Sequence, residues 1–180
     1  MKLPDIRRVV TADDAQGRSR IVEDAPARAV RTVAERPGYR AVNVWRTAET
    51  PARIDAADAT PGHRGILPPK NGTLLRIIDF PPEPADPAEL KRRLDATFGG
   101  IYEDAQHDKT YARHPGMHRT DTVDYAIVLE GEIWAVMDEG ETLLRAGDVL
   151  IQRGTNHAWA NRSERTARIA FILIDGIRPV

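Results

Sequence analysis

At 180 residues the chain has the size of one ordinary domain, so one domain rather than a multidomain enzyme is expected. Hydrophobic residues make up 41 % and charged residues 29 %, a soluble globular composition, and no apolar run approaches the ~20 residues of a membrane helix. A net charge of −1 supplies no field for a nucleic-acid backbone or an anionic membrane, and the absence of cysteine excludes disulfides, thiolate metal sites and cysteine nucleophiles. The first eight residues hold no apolar stretch of signal-peptide type, so a cytoplasmic protein is expected.

In chain order, residues 20–23, 29–33 and 39–45 read as short strands between turn residues. Residues 46–70, rich in Ala, Pro, Asp and Gly, carry no period and read as an irregular loop or covering segment. Thr73–Phe80 is a strand that Pro81-Pro82 stops. Asp86-Pro87 then caps a helix predicted over 88–98, with Gly99-Gly100 ending it. From Met117 the runs become short, dense and β-prone, at 117–120, 123–130, 132–137, 142–145, 148–152, 157–161 and 166–174, with Gly-containing turns between them. Many short strands at regular spacing give an all-β sandwich or barrel. The expected organisation is one structural domain, with residues 1–110 as an extension of strands, loop and one helix on a core barrel of residues 111–180.

Two stretches carry candidate chemistry. The first runs Gly116-Met117-His118-Arg119-Thr120-Asp121-Thr122-Val123-Asp124 and reaches Gly131 six residues later. The second runs Gly147-Asp148-Val149-Leu150-Ile151-Gln152-Arg153-Gly154-Thr155-Asn156-His157-Ala158-Trp159-Ala160-Asn161. Together they resemble the paired motifs of the cupin superfamily, and the resemblance implies a jelly-roll, or double-stranded β-helix, whose interior often holds a metal. His118 matches the first histidine of the pattern, Thr120 stands where a second is usual, and Asp124 replaces a glutamate. His157 and Asn161 match the second motif, with Gln152 where proline is usual and one residue fewer between Gly147 and Gly154.

Alternation along a strand puts His118 and Thr120 on one face, and His157, Trp159 and Asn161 on another single face. If Asp124 begins the neighbouring strand, as the resemblance implies, His118, Asp124 and His157 converge inside the barrel as a catalytic centre. They would bind a divalent metal such as Fe, Zn, Mn or Ni through two imidazoles and a carboxylate. Thr120 is a poor ligand, so it either leaves a position open or marks a pocket that binds an organic ligand without metal. Trp159, Tyr125, Thr120, Asn161 and Arg76 are the candidate substrate contacts. Tyr125 and Trp134 also have the plain reading of packing residues, and Asn161 that of a strand-end hydrogen bonder. Arg76 is either an outward polar residue or an inward clamp for a substrate carboxylate. His107 and His114 read as surface histidines, His114 alternatively as an acid or base at the barrel mouth, and His63 carries no pattern.

The functional expectation is a metal-dependent enzyme of small oxygenated substrates, with lyase, dehydratase or dioxygenase chemistry. The competing expectation is a metal-free pocket that binds or isomerises a small ligand. A homodimer is expected from the resemblance, with no nucleic acid and no membrane as partner. The strand at 167–175 is too apolar for a freely exposed edge, so the N-terminal segment or a second subunit is expected to cover it.

Overall fold

The computed structural model describes residues 3–110 and 112–179, which form thirteen strands and one α-helix. The first half contains β1 (Arg7–Asp13), β2 (Ser19–Pro26), β3 (Ala29–Thr32), β4 (Arg40–Thr47), β5 (Thr73–Phe80) and α1 (Pro87–Ile101). The second contains β6 (Gln106–His107), β7 (His118–Arg119), β8 (Thr122–Glu130), β9 (Glu132–Met137), β10 (Glu141–Arg145), β11 (Val149–Arg153), β12 (His157–Ala160) and β13 (Ala167–Asp175). β3 to β13 build a jelly-roll of two antiparallel sheets, ordered β10-β9-β12-β7-β6 and β11-β8-β13-β5-β4-β3, and β1 and β2 form a separate two-stranded sheet. The core lies between them, where Leu74, Ile78 and Phe171 of one sheet meet Ile133, Ala135 and Trp159 of the other.

The barrel wall begins far upstream of residue 111. β13 pairs along its length with β5, from Ala167 opposite Phe80 to Ile174 opposite Thr73, and β5 carries β4 and β3 in turn. β13 is therefore an inner strand with β8 on its other side, which explains an apolar run on both faces, and the cover expected for it comes from β5 of the N-terminal half. The hairpin of β1 and β2 was only half expected. β1 is mostly exposed and has no apolar alternation, and Arg8 anchors it through Glu23 and Asp58.

α1 starts as the capping residues dictate, the Asp86 carboxylate accepting from the Ala88 amide with Pro87 in the first turn. It runs through Gly99-Gly100 instead of stopping there and ends before Tyr102, burying Leu94, Thr97 and Phe98. The segment 46–70 folds back on the barrel with a 3-10 turn at Thr60–Gly62. The Asp104 carboxylate accepts from the amides of Ile66 and Leu67. Gly65, at φ +74°, leaves room for that carboxylate, since a Cβ there would lie 2.3 Å from its oxygen. Among the described residues no helix is long and apolar enough to cross a membrane.

Candidate active site

Between the sheets, under α1, lies a cavity of about 60 Å³ whose wall includes His118, Thr120, Asp124, His157, Trp159 and Arg76. Each reaches it by strand parity. On β8 the inward set is Thr122, Asp124, Ala126 and Val128, while Val123 and Tyr125 point out. On β5, Arg76 shares the inward face with Leu74 and Ile78. His118 and His157 are direct cross-strand partners on β7 and β12, with ring centroids 4.3 Å apart.

The His118 Nδ1–H donates to the Gly116 carbonyl at 2.9 Å, which leaves Nε2 as a lone-pair nitrogen. At His157, Nδ1 lies 3.0 Å from the Thr155 carbonyl, to which it donates when protonated, and 2.8 Å from the Gln152 amide nitrogen, from which it accepts in the other tautomer. Gln152, which stands where the cupin pattern has proline, thus orients this imidazole and also donates to Thr155. Burial drives His118 down to about 3, helped by the nearby His157, and it drives His157 down to about 4. Both rings are neutral near pH 7. Asp124 moves the other way, raised to about 6 because burial opposes its charge more than the Thr122 hydroxyl bond favours it. Its Oδ1 is buried with no partner. Thr120 bonds the Thr122 hydroxyl at 2.8 Å, and Trp159 sets its ring edge-on to His157 and Phe171.

The cavity brings together His118, Thr120, Asp124, His157, Trp159 and Arg76, and leaves out two of the expected contacts. Tyr125 is 41 % exposed on the outer face of β8. Asn161 is buried but spends its amide on the Phe80 and Arg165 carbonyls and its oxygen on Ser163, pinning the turn after β12. Arg76 is 2 % exposed, so the outward reading is corrected. His118, Asp124 and His157 line one space, yet among the described residues no group of three or more His, Asp and Glu stands close enough to hold a metal ion. The donor set as arranged does not fit a three-ligand metal centre.

Of the remaining histidines, His114 and His63 are buried and His107 is half-buried. His114 is buried, accepts from the Gly116 amide at Nδ1 and so donates from Nε2 to Glu83 at 2.9 Å. His107 stacks on Phe98 and bonds the Pro115 carbonyl. His63 is buried under β4 and its neighbours, lowered to about 4 first by burial and then by Arg76 and Arg46. Trp134 packs beside Met117 and under Arg162.

Sequence reasoning missed a whole side of the cavity: Arg36 and Tyr39 from the turn into β4, and Phe98 and Tyr102 from α1 and its end. Tyr39 and Tyr102 join hydroxyls at 2.9 Å, Arg36 lies over the Tyr39 ring at 4.4 Å, and Arg76 lies over the Tyr102 ring at 5.1 Å. No local motif marks these residues, since only the folding of β4 and α1 onto the barrel brings them in.

The sequence family described as the cupin domain matches residues 108–174. The chain carries a cupin domain over those residues. It is 51 % identical over 61 residues to the phomopsin biosynthesis cluster protein D of Diaporthe leptostromiformis, a stretch covering 33 % of the chain and 32 % of that protein. The match thus spans about a third of that relative's length. It is 27 % identical over 184 residues to the cupin-domain-containing oxidoreductase fogC of Aspergillus ruber, covering 96 % of this chain and 74 % of the relative. Among solved structures it is similar to the Schizosaccharomyces pombe Cnp3 cupin domain, at TM-score 0.46 and 10 % identity over 96 % of this chain and 89 % of that one.

Proposed function

We propose that this cupin-domain protein is an oxidoreductase of small organic substrates, with the cavity between its sheets as the substrate site. The observation that carries the reading is the meeting of two neutral imidazoles and a carboxyl raised to about 6 in one buried cavity. Similarity to relatives named cupin-domain-containing oxidoreductases supports the redox class. Removing two hydrogens from an organic substrate releases a hydride equivalent, which dioxygen supplied from solution would accept, and a proton, for which Asp124, the carboxyl of the cavity wall raised to about 6, is the acceptor. Its unbonded Oδ1 is free to receive a proton from a substrate O–H or C–H. His118 and His157, fixed through Nδ1, present Nε2 for substrate hydrogen bonds, while Phe98, Trp159 and Phe171 exclude water. The second reading is a metal-free pocket that isomerises its ligand, favoured by the same absence of a three-donor set among the described residues.

Mass spectrometry separates them. The protein is incubated in air with a panel of hydroxylated aromatic and aliphatic acids and aldehydes, chelated or supplemented with Fe(II), Mn(II), Ni(II) or Zn(II). A product differing by two hydrogens or by added oxygen, lost in His118→Ala and His157→Ala, is the expected result. A product of unchanged mass, or one lacking water, would replace the oxidoreductase reading with an isomerase or a dehydratase. Turnover only with added metal would revive the metal-dependent expectation.

A further inference from the structure

Five arginines are buried among the described residues, and they divide sharply by partner. Arg8 is paired with Glu23 and Asp58. Arg40 and Arg168 share Asp79, with Asp5 also on Arg40. Arg36 and Arg76, 6 % and 2 % exposed, have no carboxylate within ion-pair distance among the described residues. Arg76 donates only to neutral oxygens, those of Asn43, Gly65 and Ile66. Arg36 makes no side-chain hydrogen bond among the described residues and rests on the rings of Tyr39 and Phe80. Glu83 acts on it at longer range only and is itself bonded to His114. Both unmatched guanidiniums line the same cavity.

A desolvated cation without a counterion costs several kcal/mol, roughly, so a fold that tolerates two in one cavity is holding them for something else. The tyrosines between them sharpen the picture. Two phenol hydroxyls joined by one hydrogen bond use one proton, and the other proton has no acceptor among the described residues. Resting on the reading of this cavity as the substrate site, we propose that it binds an organic carboxylate, held by Arg36 and Arg76 with a hydroxyl of the Tyr39–Tyr102 pair. The planar fork of a guanidinium matches a carboxylate, and the surrounding aromatic wall of Phe98, Trp159 and Phe171 suits a compact apolar body. Asp124 is the one carboxyl on that wall and is in ion-pair contact with neither arginine, so the ligand's charge is what balances the site.

The test is calorimetric titration of the full chain with butyrate and benzoate, each against its neutral amide, and with inorganic phosphate. The acids are expected to bind at least about tenfold more tightly than the amides and than phosphate. Arg36→Met is expected to erase that preference, with Arg36→Lys retaining part of it. Because the Arg36 side chain makes no hydrogen bond among the described residues, Arg36→Met is also expected to melt at the same or a higher temperature, which a structural arginine would not do. Equal binding of acid and amide by the unaltered protein, an intact preference in Arg36→Met, tighter binding of phosphate, or a lower melting temperature in Arg36→Met would each overturn the proposal. Binding needs no turnover. Carboxylate selectivity without oxidation defeats only the oxidoreductase reading, and oxidation of neutral substrates without that selectivity defeats only this one.

Discussion

Asp124 shows how a single residue serves a site at the expense of the fold. It is 5 % exposed and one of its oxygens has no partner. Its folded-state value of about 6 lies above the ordinary 3.8. A carboxyl raised on folding helps stability below its unfolded value and loses that help as pH rises through the folded one. The penalty therefore develops between about pH 4 and pH 6 and is complete above. Asp124→Asn, which keeps the shape and cannot ionise, is expected to match the unaltered protein at pH 4 and exceed it at pH 8 by up to roughly 2–3 kcal/mol. Thermal melts across that range check it, and a constant difference would show that Asp124 imposes no ionisation penalty. Thr120 tests the donor geometry. It shares the inward face with His118, so Thr120→His adds an imidazole beside two others. Measurable Zn(II) or Ni(II) binding should appear by titration, with about 1–3 kcal/mol lost to overpacking at a site 2 % exposed. Unchanged metal affinity would mean that a third imidazole here does not converge with the other two. The histidines, the aspartate and Trp159 were legible because alternation and the paired motifs fix their face. Arg76 was not, because Leu75 and Ile77 make the other face of β5 apolar as well, so polarity alone could not say which face is inward.

At the scale of elements, α1 supplies one wall of the cavity, through Leu94, Thr97 and Phe98. Its cap was legible because Asp86-Pro87 acts through local backbone bonding. Its end was not, because Gly99 and Gly100 keep negative φ and continue the helix, whose terminus is set by where Tyr102 docks. Phe98 is the residue by which the helix covers the site, stacked on His107 at 4.1 Å and tilted against His118 at 5.0 Å. Phe98→Ala should open the cavity toward solvent and cost about 3–5 kcal/mol in chemical denaturation. Water reaching His118 weakens the desolvation that depresses it, so its titration, followed by NMR, is expected to rise from about 3 toward the ordinary value. A loss of stability with no rise would show that α1 supports the fold without excluding water from the site. The segment 46–70 was illegible for a related reason. It has no period of its own and is ordered by partners far along the chain, Asp104 on Ile66 and Leu67 and Arg76 on Gly65.

At the scale of the molecule, the jelly-roll was legible from its second half, where turns and strands alternate closely. The first half supplies three strands of the larger sheet and one side of the cavity, pairings between distant residues that no local signal records. The same topology changes the argument for a dimer. β13 needs no cover from a second copy, since β5 and β8 flank it. The uncovered apolar surface lies instead on β8 and β11, where Val123, Tyr125, Leu129, Val149 and Ile151 project outward, Ile151 directly opposite Tyr125. β11 ends its sheet, so apolar side chains and unpaired backbone groups coincide along one border. A second copy of the chain meeting this face would bury both at once, and light scattering at micromolar concentration is expected to give a dimer mass. Ile151→Glu, 52 % exposed and remote from the cavity wall, should shift that mass to the monomer while leaving the fold intact by circular dichroism. A monomer before substitution, or a dimer that survives it, would free this face from any part in self-association.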